Sequence, residues 1–91
     1  MVEKIKNAVL EATGISFEEF TSPGKKRERY FARLIFSYLC MKLTKMDYRE
    51  ISVIVNRNPS TVFRYWGFYK TEVNVNSSFK KIAEQVEREL N

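Results

Sequence analysis

The 91-residue chain is 44% hydrophobic and 14% aromatic, enough for a single domain with a modest core and too apolar for a disordered segment. It has no histidine and one cysteine, Cys40, which excludes an intrachain disulfide and histidine-based acid–base or zinc chemistry. Its net charge of +5 is concentrated: residues 21–70 carry eleven basic residues against Glu28, Asp47 and Glu50, while the residues on either side are weakly acidic. Clustered basic charge of this kind is the electrostatic footprint expected for contacts to phosphates. No stretch approaches the roughly 20 apolar residues needed to span a bilayer. The N-terminus lacks the apolar run of a signal peptide. The expectation is a soluble, cytoplasmic protein with no membrane partner.

In chain order, Val2, Ile5, Val9 and Ala12 recur at helical spacing, and Gly14 supplies a stop. Ser16 with Glu19 forms a capping box that opens a short helix, with Phe17 and Phe20 as core anchors. Thr21-Ser22-Pro23-Gly24 reads as a turn. The basic run Lys25-Lys26-Arg27-Glu28-Arg29 follows, then a long helix to about Leu43. Leu34, Ile35, Tyr38, Leu39 and, at its end, Leu43 give that helix an apolar stripe, and Cys40 is expected to be a buried thiol. Beside a Pro-Gly turn, Lys25, Lys26 and Arg27 can reach away from the body, as a basic arm entering a minor groove does.

Asp47 with Glu50 is a second capping box, starting a helix at Tyr48 whose Ile51 and Ile54, with Tyr48 or Val55, face the core. Asn58 followed by Pro59 starts another, since Asn caps well and Pro suits the first helical position. Only Asn56, Arg57 and Asn58 lie between, so the stretch Asp47–Lys70 reads as a helix-turn-helix. In its second helix the spacing of Val62, Trp66 and Tyr69 points inward. Ser60, Thr61 and Arg64 then fall on the outer side, where they can meet base edges or phosphates, with Phe63 and Phe68 flanking. Gly67 either lets another backbone approach or ends the helix early. Val73-Asn74-Val75-Asn76 reads as a connection, and Ser77 as the cap of a last helix with Phe79, Ile82, Ala83, Val86 and Leu90 on one stripe. The expected fold is all-α, a compact bundle of about six helices over residues 1–91, containing a helix-turn-helix preceded by a basic loop.

Along nearly its whole length the chain resembles the C-terminal DNA-binding domain of the bacterial replication initiator DnaA. The resemblance is carried by VEKIKNAVLEATGISFEEF, by the basic loop SPGKKRER, by ARLIFSYLCMKLTKMDYREI, and most specifically by I-S-x-x-V-N-R-N-P-S-T-V over Ile51–Val62. It implies a basic-loop contact in the minor groove, at Lys25 with Lys26 and Arg27 beside it. It implies a major-groove contact at Asn58, Pro59 and Ser60, in the places of the family's Asp, His and Thr. By the same correspondence Arg57 precedes the triplet, Thr61 is a phosphate contact, Tyr48 and Arg49 meet the backbone, and Arg33 is a further basic position. Four departures accompany the match: Pro59 has no side-chain donor, Asn58 can donate as well as accept, Tyr65 stands where the family has a small residue, and the turn is one residue shorter. No GxxxxGK[ST] occurs, so no nucleotide-binding loop is present in these residues.

These readings point to a sequence-preferring duplex DNA-binding domain serving replication initiation, its regulation, or transcription, with no cofactor and no small-molecule substrate. The alternative is a protein-interaction module docking through Phe63, Tyr65, Trp66, Phe68 and Tyr69. An enzyme has no support, because no paired carboxylates, metal spacing or nucleophile–base pair is present. Oligomeric state is open.

Overall fold

In the computed structural model, which describes residues 1–91, six helices and no strand follow one another: α1 (Val2–Thr13), α2 (Phe17–Thr21), α3 (Arg27–Leu43), α4 (Tyr48–Val55), α5 (Pro59–Val75) and α6 (Ser77–Leu90). The local start and stop signals act where the sequence puts them. Gly14 closes α1 in the left-handed region (φ 73°) and its N–H donates to the Leu10 carbonyl. At α2 the Glu19 N–H donates to Ser16 Oγ at 3.2 Å, while the Ser16 N–H donates to Glu19 Oε1 at 3.0 Å. The Asp47–Glu50 box at α4 closes the same way.

Helix α3 is the centre of the bundle and packs against α1, α2, α4 and α5. Its nine residues Ala32–Cys40 are all buried, so the expected stripe is a helix covered on every side, the arrangement of a core element. Leu43 lies beyond that cover and is 42% exposed, because the chain leaves the core at Thr44. Arg27, Glu28 and Arg29 belong to the helix, which shortens the irregular basic segment to Lys25 and Lys26. Phe20 and Phe36 are fully buried with ring centroids 5.3 Å apart, and Phe17 leans on both. Each fully buried phenylalanine contributes about 1.5–3 kcal/mol. Cys40 is fully buried, and desolvation pushes its thiol up to about 12. Ser37 Oγ is the one buried side-chain polar atom left without a partner.

Three expectations for the C-terminal half are corrected. Helix α5 runs through Gly67 and on to Val75, and the connection to α6 is Asn76 alone. Val73, half-buried against the core, rewards the extra turns. Asn76, not Ser77, caps α6: its Oδ1 accepts from the Phe79 N–H at 3.1 Å. In α5 the inward residues are Val62, Tyr65 and Tyr69, and Trp66 is 37% exposed. Tyr65 takes the interior because Arg33 Nε donates to its hydroxyl at 3.1 Å. Tyr69 stacks on Tyr38 at 3.6 Å and 4°, and Phe79 of α6 meets Tyr69 edge-on at 5.5 Å, which ties α3, α5 and α6 together.

Gly67 neither ends the helix nor admits a neighbour. A methyl group there would meet nothing within 4 Å. Gly67→Ala is therefore expected to raise stability, by up to about 1 kcal/mol, through the difference in helix propensity alone. A rise in the urea midpoint at unchanged slope would check this; a fall would mean that the backbone needs glycine's freedom.

Candidate nucleic-acid interface

The turn between α4 and α5 is built by hydrogen bonds that the sequence specifies. Asn56 takes the left-handed conformation (φ 57°), and the Asn56 and Arg57 N–H groups donate to the carbonyls of Val53 (3.3 Å) and Ser52 (3.0 Å). Those two bonds are a Schellman closure, with Asn in place of the usual Gly. Asn58 then opens α5: its Oδ1 accepts from the Ser60 N–H at 3.0 Å and from Ser60 Oγ at 2.8 Å. The Asn58 carbonyl oxygen is thereby committed to the cap, which leaves its amide nitrogen as the group that can meet a ligand. Pro59, Ser60 and Arg64 are exposed, and Thr61 is half-buried.

Arg57 does a different job from its neighbours. Nη1 donates to the carbonyls of Thr21 (3.2 Å), Val55 (3.2 Å) and Asn56 (3.0 Å), and Nη2 to that of Ser22 (2.8 Å). One guanidinium thus fastens the turn to the start of the basic loop. Burial, and then the nearby charge of Arg33, hold its pKa below the ordinary arginine value.

Arg33 also turns inward. It is 5% exposed, with Nη1 donating to the Phe20 carbonyl at 2.8 Å and Nε to Tyr65. An arginine expected to reach outward as a basic contact spends two of its bonds inside the bundle, because α3 carries it past the end of α2.

Lys25, Lys26 and Arg27 are exposed and in no ion pair. The Arg27 guanidinium lies 5.0 Å from the Phe31 ring. Arg29 is held back by Glu19 (3.8 Å) and Ser22 Oγ (3.3 Å). On α4, Tyr48 is half-buried and Arg49 exposed, its guanidinium 5.3 Å from the Tyr48 ring. Arg49 and Arg64 likewise have no acidic partner. A hollow of about 460 Å³ lies between the loop and α5 and brings Gly24, Lys25 and Arg27 together with Arg33, Arg57, Thr61 and Tyr65. No acidic residue lines it.

The outer face of α5 is more apolar than the placement of Ser60 and Arg64 suggests. Phe63 is 64% exposed and Phe68 43%, and with Trp66 they surround Gly67 in an open trough of about 790 Å³. Phe63 is steadied edge-on by Tyr48 at 5.1 Å. The spacing 62/65/69 fits a helix as well as 62/66/69 does, so sequence periodicity could not select Tyr65 over Trp66 for the core.

Asn58→Ala is expected to cost about 1 kcal/mol of stability through loss of the cap. Asn58→Asp retains the oxygen that accepts both cap bonds and should hold the urea midpoint near that of the parent. Equal losses in the two variants would mean that the cap is not what matters at this position.

The family model described as bacterial dnaA protein helix-turn-helix matches residues 2–66, that is, α1 through the first half of α5. No curated protein matches the chain.

Proposed function

The chain belongs to the bacterial DnaA helix-turn-helix family, a DNA-binding family, and from that premise we propose how its residues divide the work on a duplex. The N-terminal turns of α5 enter the major groove with Asn58, Ser60 and Arg64 toward base edges. Lys25 and Lys26, with Arg27, follow the backbone into the adjacent minor groove, and Tyr48, Arg49 and Thr61 contact phosphates. The 91 residues act in this as one domain. The observation that carries the reading is the hollow in which unpaired cations of the basic loop and the first turn of α5 share one wall. Phosphate contacts supply most of the affinity, and groove contacts choose the sequence.

The cap geometry gives the sequence choice a direction. With Oδ1 engaged by Ser60, Asn58 presents a donor, which suits an acceptor in the major groove such as guanine O6 or N7, or thymine O4. Asn58→Asp presents only acceptors and suits the cytosine amino group instead. Pro59 adds no donor, and the exposed ring of Phe63 offers apolar surface to a thymine methyl group.

Selection from random duplexes, followed by gel shifts across a salt series, tests this. The expected result is an enriched site, with log affinity falling linearly in log salt. Absence of any duplex binding at low salt would sink the reading and leave the aromatic trough around Gly67, a surface for a protein contact, as the second one.

A further inference from the structure

We propose that the open trough on the outer face of α5 is the docking site of a helix from a partner protein, apolar on one side and acidic along its flanks, and that this helix and a duplex exclude each other. Phe63, Trp66 and Phe68 are 64%, 37% and 43% exposed within two turns of one helix, and Tyr48 and Met41 continue the apolar surface. Exposed rings this close together mark a contact surface on a domain of this size. A duplex accounts for only one end of it. Phe63 and Arg64 belong to the turns of α5 that face the bases, whereas Gly67 and Phe68 lie further along the helix and offer a phosphate no side-chain donor. Both also fall beyond residues 2–66, the part that the family model matches.

The shape of the trough suits a helix. Gly67 lies in its lining, where a glycine inside an exposed helix is less favourable than alanine. No part of this chain comes within 4 Å of the place a methyl group would take. That room is open to the outside, and the backbone of a second helix can close in there. Phe63 and Thr71, both in the lining, stand about 12 Å apart along the axis of α5. An occupant helix covers that length with apolar residues at i, i+3 or i+4, and i+7. Aromatic rings with Met41 and Arg64, and little other charge, are the composition found at the centre of protein contacts.

Charge fixes the sign of the partner. Arg64 stands in the wall, Lys70 Nζ lies 5.0 Å from the centre of the Trp66 ring, and the Arg49 guanidinium lies 5.3 Å from that of Tyr48. None of the three is in an ion pair. Asp47, the one carboxylate in the wall, already accepts the N–H groups of Arg49 and Glu50 in the α4 cap. Unspent cations around an apolar floor are complementary to acidic flanks. A second copy of this chain would bring the same cations against them and be repelled. The helix and a duplex both need Phe63 and Arg64, so each excludes the other. That exclusion rests on the duplex-binding reading; the docking site does not.

The probe is a display library of random peptides about 20 residues long, enough to form a helix on binding, selected on the whole chain. Trp66 is the only tryptophan, so its fluorescence reports what happens at the trough. Enriched peptides should carry apolar residues at helical spacing with Asp or Glu beside them, and should change the Trp66 emission. The same peptides with Lys in place of the acids should not bind. Gly67→Leu fills the floor at a position with no neighbour, and should weaken the enriched peptides by about tenfold or more. If that variant loses its fold, Phe68→Ala removes a ring from the wall and should weaken them likewise. No enrichment, peptides without acidic flanks, or equal binding to parent and variant would overturn the docking site. Quenching of Trp66 by oligothymidylate with no response to peptides would also overturn it, making the rings a platform for unpaired bases. So would a dimer in sedimentation that Gly67→Leu disrupts. The selected duplex should displace a bound peptide, and a complex holding both would overturn the exclusion. Should the chain bind no duplex, the proposed function fails while the peptide selection still decides the docking site.

Discussion

Replacing Arg57 with alanine is expected to lower the unfolding free energy by about 1.5–3 kcal/mol, the range for hydrogen bonds from a charged group, read as a drop in the urea midpoint at unchanged slope. The guanidinium bonds to the carbonyls of Thr21 and Ser22 on one side and of Val55 and Asn56 on the other. Without it, the end of α2 and the helix-turn-helix turn lose their common fastener, and carbonyls near the surface must turn to water. The loss should be local as well as global. Trypsin should cut faster after Lys25 and Lys26, because the loop that carries them is anchored at Ser22. Arg57→Lys should recover only part of the stability, since an ammonium lacks the planar fork that spans both segments. An unchanged midpoint in Arg57→Ala would show that water replaces these bonds without cost.

The largest functional effect is expected from Lys25→Ala combined with Lys26→Ala. Both side chains are exposed and in no ion pair, so the fold should be indifferent to their loss. Duplex affinity should fall at every sequence to a similar degree. The plot of log affinity against log salt should become shallower by nearly 2, at about 0.9 per phosphate contact removed. Arg64→Ala should behave differently, relaxing the choice of base at one position by about 1–3 kcal/mol if its contact is bidentate. A double lysine variant with an unchanged slope would remove the basic arm from the interface. One that loses affinity at a single sequence only would make the arm a reader of bases.

Much of the architecture was legible because its determinants are local. Ser16 with Glu19, Asp47 with Glu50, and Asn58 before Pro59 each satisfy free N–H groups within four residues, so the starts of α2, α4 and α5 needed no knowledge of the rest of the chain. Gly14 could be read as a stop for the same reason. The C-terminal half was harder. Gly67 and the polar run near Asn74 and Asn76 look like the end of a helix, yet α5 continues because Val73 packs against the core two turns beyond the glycine. Its inward face was misread at Trp66, where two residues satisfy the period and only a partner for the Tyr65 hydroxyl separates them.

The interface divides along the same line. By itself, the sequence determined the family, the all-helical order, the helix-turn-helix at Asp47–Lys70, and the excess of positive charge over residues 21–70. Those follow from composition and from interactions between residues a few positions apart. Only the tertiary structure decided where each charge is spent. Lys25, Lys26, Arg27, Arg49 and Arg64 are left free, while Arg33 and Arg57 are drawn to carbonyls at the end of α2. The reason is distance along the chain. Arg57 meets Thr21 and Ser22 across more than thirty residues, as Arg33 meets Tyr65, and such pairings exist only once α2, α3 and α5 have packed.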